Sequence, residues 1–215
     1  MRSALKEALS AAFALALLVT RAYAVNLYPT VDADLPIKWS GFVVAPYFGY
    51  ETMKLKGAGA DVLDDPKGWR IGAELDYDYQ IGSFVVGVAG DAFYTWYDGN
   101  GAAAHSELSS RLFDYETVRG RLGYTFGRWM LFGTGGVAFG DLEVKNALSG
   151  AADRQMLTGW TAGGGFEWVW NNELTLRGEV AHIDFNQAKF SSLSTPTQEL
   201  GANLDLFKID FISRF

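Results

Sequence analysis

A period of two runs through this 215-residue chain and decides what it can fold into. In "WRIGAELDYDY", Trp69, Ile71, Ala73, Leu75, Tyr77 and Tyr79 fall on one side of an extended backbone. Arg70, Gly72, Glu74, Asp76 and Asp78 fall on the other. Successive side chains of a strand point to opposite faces, so such a segment has one apolar and one polar face. The pattern recurs over 39–51, 84–97, 112–126, 157–170, 174–185 and 206–215. The segment 129–140 is apolar and glycine-rich, with no clear phase. Together these segments predict eight strands, an even number of the kind that closes into a membrane-spanning barrel.

The connections alternate in length. "QIGS" (80–83), "GR" (127–128) and "WNNE" (170–173) are tight, whereas 52–68, 98–111, 141–156 and 186–200 read as long polar loops. Short turns at one end and long loops at the other are the asymmetry of outer-membrane barrels, with both termini on the periplasmic side. A soluble β-sandwich also alternates, with its apolar face inward. Two features weigh against it here. Small residues (Gly41, Gly49, Gly72, Gly87, Gly123, Gly163, Gly165) interrupt the charged face, as a crowded lumen requires and a solvated surface does not. Trp39, Tyr50, Trp69, Tyr79, Trp96, Tyr124, Trp129 and Trp170 gather near strand ends, as in the aromatic girdles at membrane interfaces. The expected fold is all-β: an eight-stranded antiparallel up-and-down transmembrane β-barrel over 39–215.

The first segment fits export. Arg2 and Lys6 precede the apolar run 8–20, and Ala22-Tyr23-Ala24 offers a small-x-small cleavage pattern. The run is shorter than the ~20 residues needed to cross a bilayer as a helix. Residues 1–24 are therefore expected to be a signal peptide and 25–38, with two prolines, a periplasmic linker. Removing 1–24 takes away Arg2, Lys6, Arg21 and Glu7, which leaves 15 basic and 24 acidic residues and a net charge of -9. An acidic chain has no basic face for phosphates, so nucleic acid is not an expected partner. With no cysteine there is no disulfide framework and no thiolate chemistry.

In the expected barrel the polar face turns inward. Arg70, Arg119, Arg121, Arg177, Lys208 and Arg214 then share the lumen with Glu74, Asp76, Asp78, Asp91, Glu167, Glu179 and Asp210. Buried charges are costly unless paired, so opposite signs on facing strands are expected to satisfy one another. With eight strands the interior is just wide enough for side chains to fill, which favours a closed polar core over an open pore.

Catalytic and cofactor patterns are thin. "GTGGVA" (133–138) has the spacing of a dinucleotide fingerprint, but no helical period follows it. His182 has no serine sharing its face, and His105 sits in a loop beside Ser106, so neither forms a nucleophile–base pair. No histidine cluster suggests a metal. The expectation is a non-enzyme with no cofactor.

The chain ends "LFKIDFISRF", with Phe207, Ile209, Phe211 and Phe215 in one phase. This resembles the C-terminal signal of outer-membrane proteins, and Ser213 departs from it where an aromatic or aliphatic residue is usual. "WSGFVVAPYFGY" (39–50), "GVAGDAFYTW" (87–96), "TVRGRLGY" (117–124), "LFGTGGVAFG" (131–140), "GWTAGGGFEW" (159–168) and "LRGEV" (176–180) add to it. In order, they resemble the small outer-membrane proteins of the Omp25/Omp31 type, over nearly the whole exported chain. The resemblance implies an eight-stranded surface barrel supporting the envelope. Its partners would be outer-membrane lipid, lipopolysaccharide and the barrel-insertion machinery. A narrow diffusion channel, or loops that bind haem or a host surface, are the other roles it allows.

Overall fold

The alternation closes on itself into a ring. In the computed structural model, residues 37–57, 60, 65–95, 99–100, 108–146, 150, 152–190 and 198–215 are described. Eight long strands form the wall: β1 (Gly41–Lys56), β2 (Lys67–Ile81), β3 (Phe84–Thr95), β5 (Leu108–Phe126), β6 (Trp129–Asn146), β7 (Ala152–Val169), β8 (Thr175–Phe185) and β10 (Gln198–Arg214). Each pairs antiparallel with its sequence neighbours, and β1 pairs with β10 to shut the ring. Two short strands, β4 (Gly99–Asn100) and β9 (Ala188–Phe190), add to β5 and β10. The expected signal peptide and most of the expected linker lie outside the described residues.

The tight turns behave as their residues dictate. Gly82 and Gly127, each first of two turn residues, adopt φ of 62° and 60°, conformations that glycine reaches without steric cost. In the third turn the Asn171 Oδ1 accepts the backbone N–H groups of Glu173 and Leu174, at 2.9 and 2.8 Å. These turns share one end of the barrel with the first residue of β1 and the last of β10.

The outward face carries the apolar half of each alternation. Leu75, Val88, Leu122, Leu131, Val180 and Phe207 are all exposed. On β2, Trp69 and Tyr79 bound this band. Ten residue steps at roughly 3.3 Å, tilted by about 40°, give a band roughly 25 Å tall. That is the thickness of the apolar belt on an outer-membrane barrel. The phase of 129–140, open in the sequence, is settled. Trp129, Leu131, Val137 and Phe139 face out, while Met130, Phe132 and Ala138 face in.

Two expectations need correction. First, the strands run well into segments read as long loops: β1 continues to Lys56, β6 to Asn146, and β7 begins at Ala152. In these extensions the alternation persists but its sense inverts. Along β6, Leu142 and Val144 point inward and are buried, while Lys145 is exposed. Along β10, Leu204 is buried beside exposed Asp205, three residues before outward Phe207 is followed by inward Lys208. The far end of the barrel is thus built like a soluble protein, apolar within and polar without. Its inner cluster includes Met53, Leu142, Leu157, Phe185, Leu200 and Leu204. Second, Trp39 does not join the outer girdle. It is 2% exposed and turns under the barrel to pack on Val85, Met130 and Val169. Trp96 of the expected girdle has no described side chain.

Truncation should separate the two regimes. Leu142→Ala and Leu204→Ala are expected to destabilise the folded state by about 2–5 kcal/mol, as for core leucines elsewhere. The outward Leu122→Ala should cost far less. Urea titration of the heat-modifiable folded band on a gel reads all three, and equal losses would contradict the inversion.

Candidate functional site

Between the apolar cluster at the far end and the Trp39 floor lies a layer of buried charge. The polar half of each alternation supplies it. Strand β2 contributes Arg70, Glu74, Asp76 and Asp78, at intervals of two or four that keep all four on the inner face. Arg119 and Arg121 come from β5, Glu167 from β7, Arg177 and Glu179 from β8, and Lys208, Asp210 and Arg214 from β10. All but Arg214 are buried, and the Arg214 side chain is 12% exposed.

Most of the pairing crosses the lumen, while Arg177–Glu167 and Lys208–Glu179 join neighbouring strands. Arg177 lies at the centre: Nη1 reaches Glu74 at 2.5 Å, Nη2 reaches Asp76 at 2.5 Å, and Nε reaches Glu167 at 2.8 Å. Arg119 bridges Glu74 and Glu179. Arg121 binds Glu167 and sits 3.4 Å from both Asp76 and Asp78. Lys208 binds Glu74 and lies 3.1 Å from Glu179 and from Asp210. Arg214 reaches Asp78 at 3.0 Å and Glu167 at 3.2 Å. The Arg121 guanidinium also stacks 4.1 Å over Phe132, which uses a planar cation against an aromatic wall.

A second group caps this layer toward the far end. Arg70 binds Glu51 at 2.6 Å and Asp91 at 3.3 Å, and donates to the hydroxyls of Tyr47 and Tyr115. Its guanidinium lies 3.6 Å over the Phe93 ring. The Tyr115 hydroxyl donates to Glu51, and the Thr117 hydroxyl donates to Asp91 at 2.5 Å. Glu51, Tyr47, Tyr115, Thr117 and Phe93 were not singled out in the sequence. Glu51 and Tyr47 share the inward phase of Ala45 and Gly49, so the same parity rule reaches them. Asp91, one of the expected lumen carboxylates, is held by Arg70 and Thr117.

Crowding sets the small residues. A Cβ on Gly87 would lie 2.3 Å from the Asp78 carboxylate, so that position stays bare to admit an acidic partner. The stretch 133–138 lies wholly inside β6, away from any strand–turn–helix that a dinucleotide would need. His182 faces outward, its Nδ1 2.7 Å from Asp205 and its ring beside Trp160. His105 lies outside the described residues. No group of three or more potential metal ligands occurs among the described residues.

Inside the described lumen, eight carboxylates (Glu51, Glu74, Asp76, Asp78, Asp91, Glu167, Glu179, Asp210) face six cations (Arg70, Arg119, Arg121, Arg177, Lys208, Arg214). Losing a cation therefore hurts more than losing an acid. Arg119→Leu and Arg121→Leu each take one cation from two or more buried carboxylates that already outnumber the cations, and should cost on the order of 3–5 kcal/mol. Asp76→Asn keeps the shape, relieves the excess of negative charge, and should cost much less than either. Urea resistance of the folded band measures the difference, and equal losses would overturn the charge balance described here.

The model for the outer membrane protein beta-barrel domain family matches residues 10–205. A 25 kDa outer-membrane immunogenic protein of Brucella canis is 26% identical over 176 residues, 80% of this chain and 79% of that one. A 31 kDa outer-membrane immunogenic protein of Brucella melitensis biotype 1 is 26% identical over an alignment of 252 positions that covers both chains fully. A 22 kDa outer membrane protein of Rhizobium leguminosarum bv. viciae is 29% identical over 153 residues, 68% of this chain and 70% of that one. Among solved structures, the outer membrane protein OprG of Pseudomonas aeruginosa superposes with a TM-score of 0.51 at 14% identity, covering 82% of this chain and 96% of that one. That likeness concerns the fold. The chain belongs to the outer membrane protein β-barrel domain family, and its relatives include proteins of the Omp25/Omp31 type.

Proposed function

We propose that this outer-membrane barrel is a structural, non-conducting element of the cell surface, without enzymatic activity. One observation carries the reading: the charge layer is sealed on both sides. Toward the far end, Met53, Leu142, Phe185, Phe190 and Leu204 fill the interior. Toward the turns, Trp39, Val85, Met130 and Val169 close it. An ion crossing the barrel would have to pass two apolar layers and displace ion pairs in between, a barrier made of desolvation. Purified protein in planar bilayers should give no steady conductance. Discrete, reproducible conductance steps would instead assign it as a narrow diffusion channel.

The same reading places the termini and tight turns in the periplasm and the polar far end outside, with residues 1–24 removed on export. The outward face supports it, because the belt meets water differently at its two ends. Above Trp69 and Tyr50, the wall carries exposed Lys54 and Lys67, suited to the phosphates of lipopolysaccharide. Cysteines placed at Ala58, Ala103, Ala147 and Ser192, all outside the described residues, should label in intact cells. Protection at every one of them would reverse the orientation. Those outer segments are also where any haem or host contact would be made.

Phe207, Ile209 and Phe211 face outward on β10, and Phe215 just after it is exposed, where a partner can read them before the ring closes. We take them as the sequence recognised by the insertion machinery. Phe215 also exchanges two backbone hydrogen bonds with Phe42, of 3.1 and 2.8 Å, across the closing seam. Deleting Phe215 should lower outer-membrane yield and leave unfolded protein in the periplasm, and Ser213→Tyr should partly restore the yield. Unchanged insertion of the deletion variant, followed by cell fractionation, would show that the ending is ordinary strand.

A further inference from the structure

We propose that Ile37–Ser40 is a periplasmic strap that seats only in the closed ring and acts as a latch on the β1–β10 seam. The strap is not an extension of β1. At Gly41 the chain enters the sheet with φ of 138°, and a Cβ there would lie 2.1 Å from the Phe215 carbonyl oxygen. Glycine is therefore required for the backbone to bend beneath the barrel while β1 lies against the C-terminal residue. Beyond that bend, Trp39 crosses the mouth and packs on Val85 of β3, Met130 of β6 and Val169 of β7, with Ile37 behind it.

Its polar atoms are held from other strands. The Trp39 carbonyl accepts from Arg214 of β10, whose guanidinium lies 5.7 Å from the indole centroid. The Trp39 N–H reaches the Gln80 Oε1 of β2 at 3.4 Å, and the Ser40 Oγ accepts the Gln80 backbone N–H at 2.8 Å. Arg214 itself is anchored in the charge layer through Asp78 and Glu167.

The docking points thus lie on β2, β3, β6, β7 and β10, and the Trp39–Arg214 contact spans 175 residues of sequence. No open sheet brings β3 and β10 to the same indole across the mouth. Only ring closure does. Contacts of this separation form late, and contacts absent from the transition state act on unfolding rather than folding. The strap should therefore slow opening of the seam while leaving the rate of assembly alone.

The test uses the full mature chain refolded from urea into detergent micelles, with folding and unfolding followed by the heat-modifiable gel shift. Trp39→Ala should unfold roughly a hundredfold faster, given the cost of removing a buried tryptophan, and fold at close to the parent rate. Trp39→Phe and Ile37→Ala should show the same signature to a smaller degree, and they keep the test alive if Trp39→Ala does not fold. Gly41→Ala should also raise the unfolding rate, by forcing the strap away from its bend. Slower folding with unchanged unfolding would overturn the proposal, as would variants indistinguishable from the parent. The Trp39→Ala barrel should remain silent in planar bilayers, because the far-end apolar cluster is untouched. Conductance in that variant alone would count against the sealed-barrel reading and leave the latch standing.

Discussion

The architecture depends on the guanidinium of Arg177, which cannot be taken out of water unless its donors find acceptors. Those acceptors are Glu74 and Asp76 of β2 and Glu167 of β7, about 100 residues or fewer away in sequence and on the opposing or neighbouring wall. An unpaired ion in a dry interior costs several kcal/mol, comparable with the whole net stability of a domain. Strand register, lumen width and ring closure are all fixed by the need to deliver these acceptors together. A slip of one residue in β2 would turn Glu74 and Asp76 toward lipid and Leu75 toward the charges. The register is therefore specified from both faces at once. Apolar residues must meet the membrane, and ions must meet ions.

The same logic explains why the wall inverts. Within the apolar belt the outside solvent is hydrocarbon and the inside holds charge. Beyond the belt the outside solvent is water, and the strands can be stabilised only by an apolar interior. Lys56 with Asp184, and Arg154 with Asp141 at 2.7 Å, then lie on the outer face, partly exposed. Surface pairs of that kind contribute little. The far end is held instead by the buried cluster around Leu142, Phe185 and Leu204. The two halves of the barrel use opposite patterns on a continuous backbone, and the change of sense along β6 and β10 marks where the outer solvent changes.

That change is also what limited the sequence. Strand count, handedness of the alternation inside the belt and the inward set from Arg70 to Glu179 were legible, because parity alone assigns a face once the belt is recognised. The extensions were not. "DLEVKN" at 141–146 alternates as cleanly as any strand, yet its charged residues resemble a loop when the pattern expected is apolar-outward. Tyr115 and Thr117 were within reach of parity, since counting back in twos from Arg119 arrives at both, and the register of β5 shifts only beyond them, between Leu112 and Tyr115. Trp39 misled because an aromatic at a strand end has two uses, girdle or plug, and parity does not distinguish them. The bend at Gly41 does, and it depends on the C-terminal carbonyl, 174 residues away.

The network makes closure cooperative. Lys208 of β10 meets Glu74 of β2 across 134 residues, Arg177 of β8 meets Glu74 across 103, and Arg119 of β5 meets Glu179 of β8 across 60. Remove either end strand from the ring and at least one ion loses one of its partners, Arg70 losing Glu51 of β1 or Glu74 losing Lys208 of β10. A partly formed sheet would bring together neighbouring-strand pairs such as Arg177–Glu167 and Lys208–Glu179, but would leave the cross-lumen partners of Glu74, Asp76 and Asp78 to water. The polar interior delays commitment until all eight strands are present, whereas the apolar outer face drives the sheet into the membrane regardless. Insertion and closure therefore have different driving forces in this chain. The seam between β1 and β10 is where they meet, with outward Phe42 and Phe215 toward lipid and inward Arg214 toward the charge layer.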